Sequence, residues 1–155
     1  MATANTPCAD FLEAEQGRLR DWYLISGWLD GYLSALNQRS PDTYDLAPWQ
    51  DTEALTGLIK QSCARNPKQW FFAVVGAMTR SLQSQRLEQA SKRVVADAGK
   101  RRVALYQAVL MRVQRRLAKL GHYAGAADGA YGPKTRAALD AYQKAAGLVV
   151  SGLPD

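Results

Sequence analysis

Apolar residues recur three and four positions apart over several separate stretches of this chain. That spacing admits little besides packed amphipathic helices. Trp22, Ile25, Leu29, Tyr32 and Leu36 follow steps of 3, 4, 3 and 4 and lie on one helical face. Gly27 and Gly31 sit four apart on the same segment, a spacing that permits close approach of a second helix. Asp30 between them argues against the membrane version of that motif.

Residues 37–50 collect Asn, Ser, Asp and Pro and read as an irregular connection. A second helix is expected from Asp51 or Thr52, either of which caps free N–H groups, with Leu55, Leu58, Ile59, Ser62 and Cys63 on its face. Asn66-Pro67 ends it and is expected to open the next helix, with Asn66 as cap and Pro67 in the first turn. Trp70, Phe71, Val74, Val75, Met78 and Leu82 make that third helix the most apolar element and the expected centre of a core.

The second half begins after a polar stretch, Gln83 to Lys100, broken at Ala96-Asp97-Ala98-Gly99. From Val103, the residues Val103, Tyr106, Leu110, Val113, Leu117 and Leu120 again step by 3 and 4, and Gly121 stands at the expected C-cap. A glycine-rich loop, His122 to Gly132, leads to a helix opened by Pro133, bearing Thr135, Ala138, Leu139, Tyr142 and Ala146 and ended by Gly147. The expected fold class is all-α, with a helical domain at 1–90, a linker or helical extension at 91–102 and a second small helical domain at 103–155.

Composition supports folded structure, since 47% of the 155 residues are hydrophobic and 22% charged. The net charge of +6 is unevenly placed. Residues 1–90 carry 8 Lys+Arg against 10 Asp+Glu, and residues 91–155 carry 12 against 4. The two halves therefore point to different partners. The longest uncharged apolar run, Gln69 to Thr79, is far below the roughly 20 residues that span a bilayer. Met1 to Pro7 is small and polar rather than the apolar stretch of a signal peptide, so an exported protein would be a processed form carrying an added Met1.

Cys8 and Cys63 are the only cysteines, and they form either one disulfide or two free thiols. Their positions, before the first helix and at the end of the second, let antiparallel packing bring them together. A catalytic thiol is disfavoured, because the single histidine, His122, lies in the other half.

Cys8-Ala9-Asp10-Phe11-Leu12, the helix ending in Ala35-Leu36-Asn37, Leu58-Ile59 and Cys63 together resemble the HdeA-type periplasmic acid-stress chaperone family over about residues 6–90. The resemblance implies a small helical fold with one disulfide joining the corresponding cysteines. Its relatives include chaperones and immunity-type inhibitors of secreted toxins, so the fold leaves the activity open. Trp22, Trp28, Trp49, Trp70 and the long connection at residues 38–50 depart from the pattern.

In the second half, Val113 to Tyr123, Asp128 to Ala138 and Tyr142 to Leu148 closely resemble the three-helix peptidoglycan-binding domain of bacterial cell-wall proteins. That family usually carries a short further helix after the segment matching Val149 to Asp155; this chain stops there, and residues around Ser91 to Lys100 are the candidate cover for the exposed face. The ligand it implies bears carboxylates, for which Lys134 and Arg136 at a helix start form an anion site. Tyr123 and Tyr131 either lie against sugar or peptide or pack into the small core. Asp128 reads first as a turn former, like Gly129 and Gly132. The candidate ligand set is Tyr123, Asp128, Tyr131, Lys134, Thr135 and Arg136.

Clustered metal ligands, phosphate-binding loops and nucleophile motifs are absent, and the helix dipole accounts for Asp10, Glu13 and Glu15. The expectation is a non-catalytic envelope protein, periplasmic or secreted, without metal or cofactor, that binds peptidoglycan and a protein partner. The alternatives are a periplasmic chaperone or inhibitor, a nucleic-acid binder using the basic helix at 100–120, or a fragment of a wall hydrolase. A disulfide argues against nucleic acid, because it places the chain in an oxidising compartment.

Overall fold

The computed structural model describes residues 5–17, 19–99 and 101–154. Residues 1–4, 18, 100 and 155 lie outside that description, and with them most of the polar start Met1 to Pro7, Lys100 of the 91–102 segment and the last residue of the 149–155 tail. The chain divides into two compact units, Met1–Gln89 and Ala90–Asp155.

The first unit holds four helices: α1 (Cys8–Glu15), α2 (Leu19–Arg39), α3 (Thr52–Arg65) and α4 (Phe71–Leu82), the last continued by a single 3-10 turn at Gln83–Gln85. Ile25, Leu29 and Leu33 of α2 are buried against Leu55 and Ile59 of α3, Phe71, Val74, Val75 and Met78 of α4, and Phe11 of α1. Asp51 caps α3 by accepting from the Ala54 N–H at 2.8 Å. Cys8 and Cys63 form a disulfide, both fully buried, that ties the start of α1 to the end of α3.

Two expectations are corrected here. Asn66-Pro67 does not open α4, which starts at Phe71 with Trp70 as its N-cap. The intervening carbonyls serve α1 instead: the Cys8 N–H donates to Gln69 O at 2.8 Å and the Ala9 N–H to Pro67 O at 2.9 Å, filling first-turn donors that no intrahelical partner reaches. Gly27 and Gly31 do not seat a second helix, since a Cβ at either meets nothing within 4 Å. The irregular connection is fastened differently, by Asn37, whose Oδ1 accepts the Leu46 N–H at 2.9 Å, and by a bridge pairing Asp45 with Leu87.

The second unit is not all-α. Strands β1 (Arg93–Asp97) and β2 (Arg102–Tyr106) pair antiparallel, with Val94 opposite Leu105 and Ala96 opposite Val103. The segment 91–102 is thus mostly hairpin rather than a linker or helical extension. Helix α5 runs Gln107–Lys119, starting four residues after the expected Val103, and α6 runs Pro133–Ala145. Val103 and Tyr106 fit a helical stripe and a strand alternation equally well. What decides between them is the turn: Gly99 adopts φ 88° and donates to Asp97 Oδ1 at 2.7 Å, while the Ala98 N–H donates to Arg101 O. The preceding residues then cap α5, the Ala108 N–H donating to Ser91 Oγ at 3.0 Å and the Gln107 N–H to Lys92 O at 2.8 Å.

The hairpin's inward face, Ala96 and Leu105 with Val94 and Val103 beside them, joins Val109, Leu110 and Leu153 in one cluster. Leu117, Ala138 and Leu139 form a second cluster between α5 and α6. Past Gly147 the described residues form no further helix, yet Leu153 is fully buried. Ala96 and Leu105 of the hairpin and Leu153 of the tail thus share one apolar cluster with Val109 and Leu110 of α5.

Candidate functional site

The second unit's loop between α5 and α6 is where the sequence concentrates its candidate ligand residues. It starts from a tight helix end, with Gly121 at φ 81°, its N–H donating to Ala118 O, and the His122 N–H reaching back to Leu117 O at 2.9 Å. This pairing meets the last carbonyls of α5 and turns the chain sharply out of it.

Gln114, fully buried in α5, organises the loop. Its Oε1 accepts the Gly129 N–H at 2.7 Å. Its Nε2 lies between four oxygens: Asp128 Oδ1 and Ala130 O at 3.0 Å each, Thr135 Oγ1 at 3.1 Å and Tyr123 Oη at 3.2 Å. One amide therefore joins the helix, the loop and the start of α6. Gly129 presses against α5 so closely, at φ 71°, that a Cβ would stand 2.7 Å from Gln107 O and 2.4 Å from Gln107 Cγ. Only glycine fits there.

Asp128 is exposed at the loop's tip, and its Oδ1 accepts the Ala130 N–H at 2.8 Å. That backbone bond first, and the Gln114 amide second, hold its carboxyl below the ordinary value of 3.8. Asp97 in the hairpin is lowered likewise, first by the Gly99 N–H and then by Arg102. Because the folded values are depressed, this stabilisation is present above pH 3.8 and is lost as pH falls through the folded values. Denaturant titrations from about pH 6 to about pH 2 are expected to show the second unit weakening in acid, with a flatter dependence for Asp128→Asn.

The six candidate residues separate into two groups. Tyr123 donates to Ala126 O at 3.0 Å, and Thr135, 2% exposed, donates to Ala130 O at 3.1 Å, so both brace the loop from within. Tyr131 packs between the two apolar clusters and donates to Gly152 O at 2.6 Å. Burial first of all pushes its phenol above 10.0, so it stays neutral. Asp128 shapes the turn. Lys134 and Arg136 alone of the six are exposed without a hydrogen bond that fixes them in the loop, and both lie in the first turn of α6. There the helix's N-terminal N–H groups favour negative charge.

Two residues were missed by the sequence reading. Gln114 is one, and Gln143 is the other: its Oε1 accepts the Ser151 and Gly152 N–H groups at 3.0 and 2.9 Å, and its Nε2 donates to Leu153 O at 2.9 Å. Their signal was a polar residue within an apolar stripe, Gln114 between Leu110 and Leu117 and Gln143 four after Leu139. Among the described residues no group of three or more His, Cys, Asp or Glu is placed to hold a metal.

Residues 107–155 match the family model described as "Putative peptidoglycan binding domain". That family match supports peptidoglycan binding by the C-terminal region. No curated protein matches the chain, nor does any solved structure. The first unit's resemblance to the acid-stress chaperones therefore finds no counterpart in these comparisons.

Proposed function

We propose that the protein is a non-catalytic component of the bacterial cell envelope, periplasmic or secreted, whose second unit holds peptidoglycan while its first unit binds a protein partner. The observation that carries the reading is the family match over 107–155, to a domain defined by binding. The basic surplus of the same half, 12 Lys+Arg against 4 Asp+Glu, suits a ligand rich in carboxylates. The disulfide suits an oxidising compartment, and among the described residues no helix is long and apolar enough to cross a membrane.

In this reading Lys134 and Arg136 face the ligand's carboxylates, and Tyr123, Asp128, Tyr131 and Thr135 preorganise the loop beside them. Exposed aromatic residues of the first unit, Trp49, Trp70 and Phe72 among them, support its role in protein contact. Phe72 stands edge-on to the stacked pair Trp28 and Tyr32, whose rings lie 5.2 Å apart.

Co-sedimentation of the full chain with purified sacculi tests the wall-binding role. The wild type is expected to pellet at moderate salt, and Lys134→Ala/Arg136→Ala to bind about tenfold more weakly, or roughly 1.4 kcal/mol, with unchanged thermal unfolding. A wild type that stays in the supernatant removes the reading; a double variant that pellets like wild type removes these two residues from the ligand face.

A further inference from the structure

We propose that the Met1–Gln89 unit carries a binding site of its own, for a neutral polyhydroxylated ligand of saccharide size, in a cavity formed by α1, α2 and α3. The inference stands independently of wall binding by the second unit. The cavity measures about 650 Å³, within the range of roughly 300–1,000 Å³ typical of small-ligand sites.

Its walls carry the chemistry such a ligand needs. Trp22 and Tyr23 of α2 line it and supply flat apolar surface for the C–H face of a sugar ring. Tyr23 is 66% exposed, so its ring is not consumed by the core. Thr52 and Glu53 of α3 contribute oxygen acceptors for hydroxyl groups.

Charge favours a neutral occupant. Lys60 and Glu15, both lining residues, neutralise one another through a 2.8 Å ion pair. Glu53 lies in the first turn of α3, where the helix dipole already favours its carboxylate. Among the described residues the site thus holds neither an unpaired cation to draw an anion nor a concentration of carboxylates to draw an amine.

Two further observations need an explanation that packing does not give. Ser26 lines the cavity, yet its Oγ is buried with no hydrogen-bond partner among the described residues. A buried polar group left unpaired is uncommon and costly; turning about its one side-chain torsion offers that hydroxyl to an occupant. Gly57 lies in the interior of α3, where glycine weakens a helix relative to alanine, and a Cβ there meets nothing within 4 Å. No close approach requires that glycine; what its missing side chain does is leave the cavity wall open.

The test is an amide-resolved NMR titration of the full chain with an N-acetylglucosamine tetramer up to about 10 mM, a range that captures weak single-site binding. Shifts are expected at residues 15, 22–26 and 52–60. Gly57→Leu, which fills the cavity, and Tyr23→Ala, which removes an exposed ring, are each expected to weaken binding by about tenfold or more. Both variants should keep the wild-type thermal midpoint or, for Gly57→Leu, exceed it. Absence of shifts at these residues, shifts confined to 107–155, or binding untouched by both variants overturns the proposal. So does a site that responds to a simple diamine and not to the saccharide.

Discussion

Gln114→Leu is expected to cost the Ala90–Asp155 unit roughly 3 kcal/mol and with it the order of the 122–132 loop. Leucine fills nearly the same space and suits the stripe formed by Leu110 and Leu117, so the loss isolates the amide. Without Oε1 the Gly129 N–H, buried against α5, has no acceptor, and Asp128 and Ala130 lose the donor that draws them to the helix. Each buried group left unpaired costs about 1–3 kcal/mol. All four tryptophans, at 22, 28, 49 and 70, lie in the first unit, so their fluorescence reports that unit alone. Urea unfolding of Gln114→Leu should therefore show an unchanged fluorescence midpoint and an earlier circular-dichroism transition. A shift worth less than about 1 kcal/mol would remove Gln114 from its place as organiser of the loop.

Loss of the disulfide is expected to act on the other unit and more strongly. The bridge closes a loop of 55 residues, which in the chain-entropy account stabilises by about 4 kcal/mol through the unfolded state. Cys8→Ala/Cys63→Ala, or reduction of the wild type, should lower the fluorescence midpoint by that amount and leave the second unit's transition in place. The consequence is large because the bridge also anchors the start of α1, whose first donors depend on Gln69 and Pro67 across the same junction. A fluorescence midpoint within about 1 kcal/mol of wild type would show that the helical core holds without it.

Much of this architecture was legible because local rules and burial agree in it. The 3-and-4 spacing of Ile25, Leu29 and their neighbours is the buried face of α2, and Asp51 caps α3 as its chemistry requires. Reading failed where one residue served two patterns. Val103 and Tyr106 fit a helix as well as a strand, and the turn at Gly99 resolves them by pairing Val103 with Ala96, seven positions away, and Tyr106 with Arg93, thirteen positions away. Asn66-Pro67 carries a helix-start signal, but its neighbourhood supplies acceptors to α1, a nonlocal demand that no local spacing encodes. At the candidate site the residue types were legible and their duties were not. Tyr123 and Thr135 of the candidate ligand set also hydrogen-bond within the loop, and Gln114 and Gln143, which the sequence reading did not single out, are buried.

The hairpin has a consequence for what counts as a transferable piece of this protein. The stretch recognisable by sequence begins at residue 107, but the unit that shares a core begins at Ala90. Cutting at the former point would discard Ala96 and Leu105 while keeping Val109, Leu110 and Leu153, which they cover. A fragment trimmed to the recognisable stretch would thus carry a bared apolar flank and tend to self-associate, whereas one begun at residue 90 would bring its own lid.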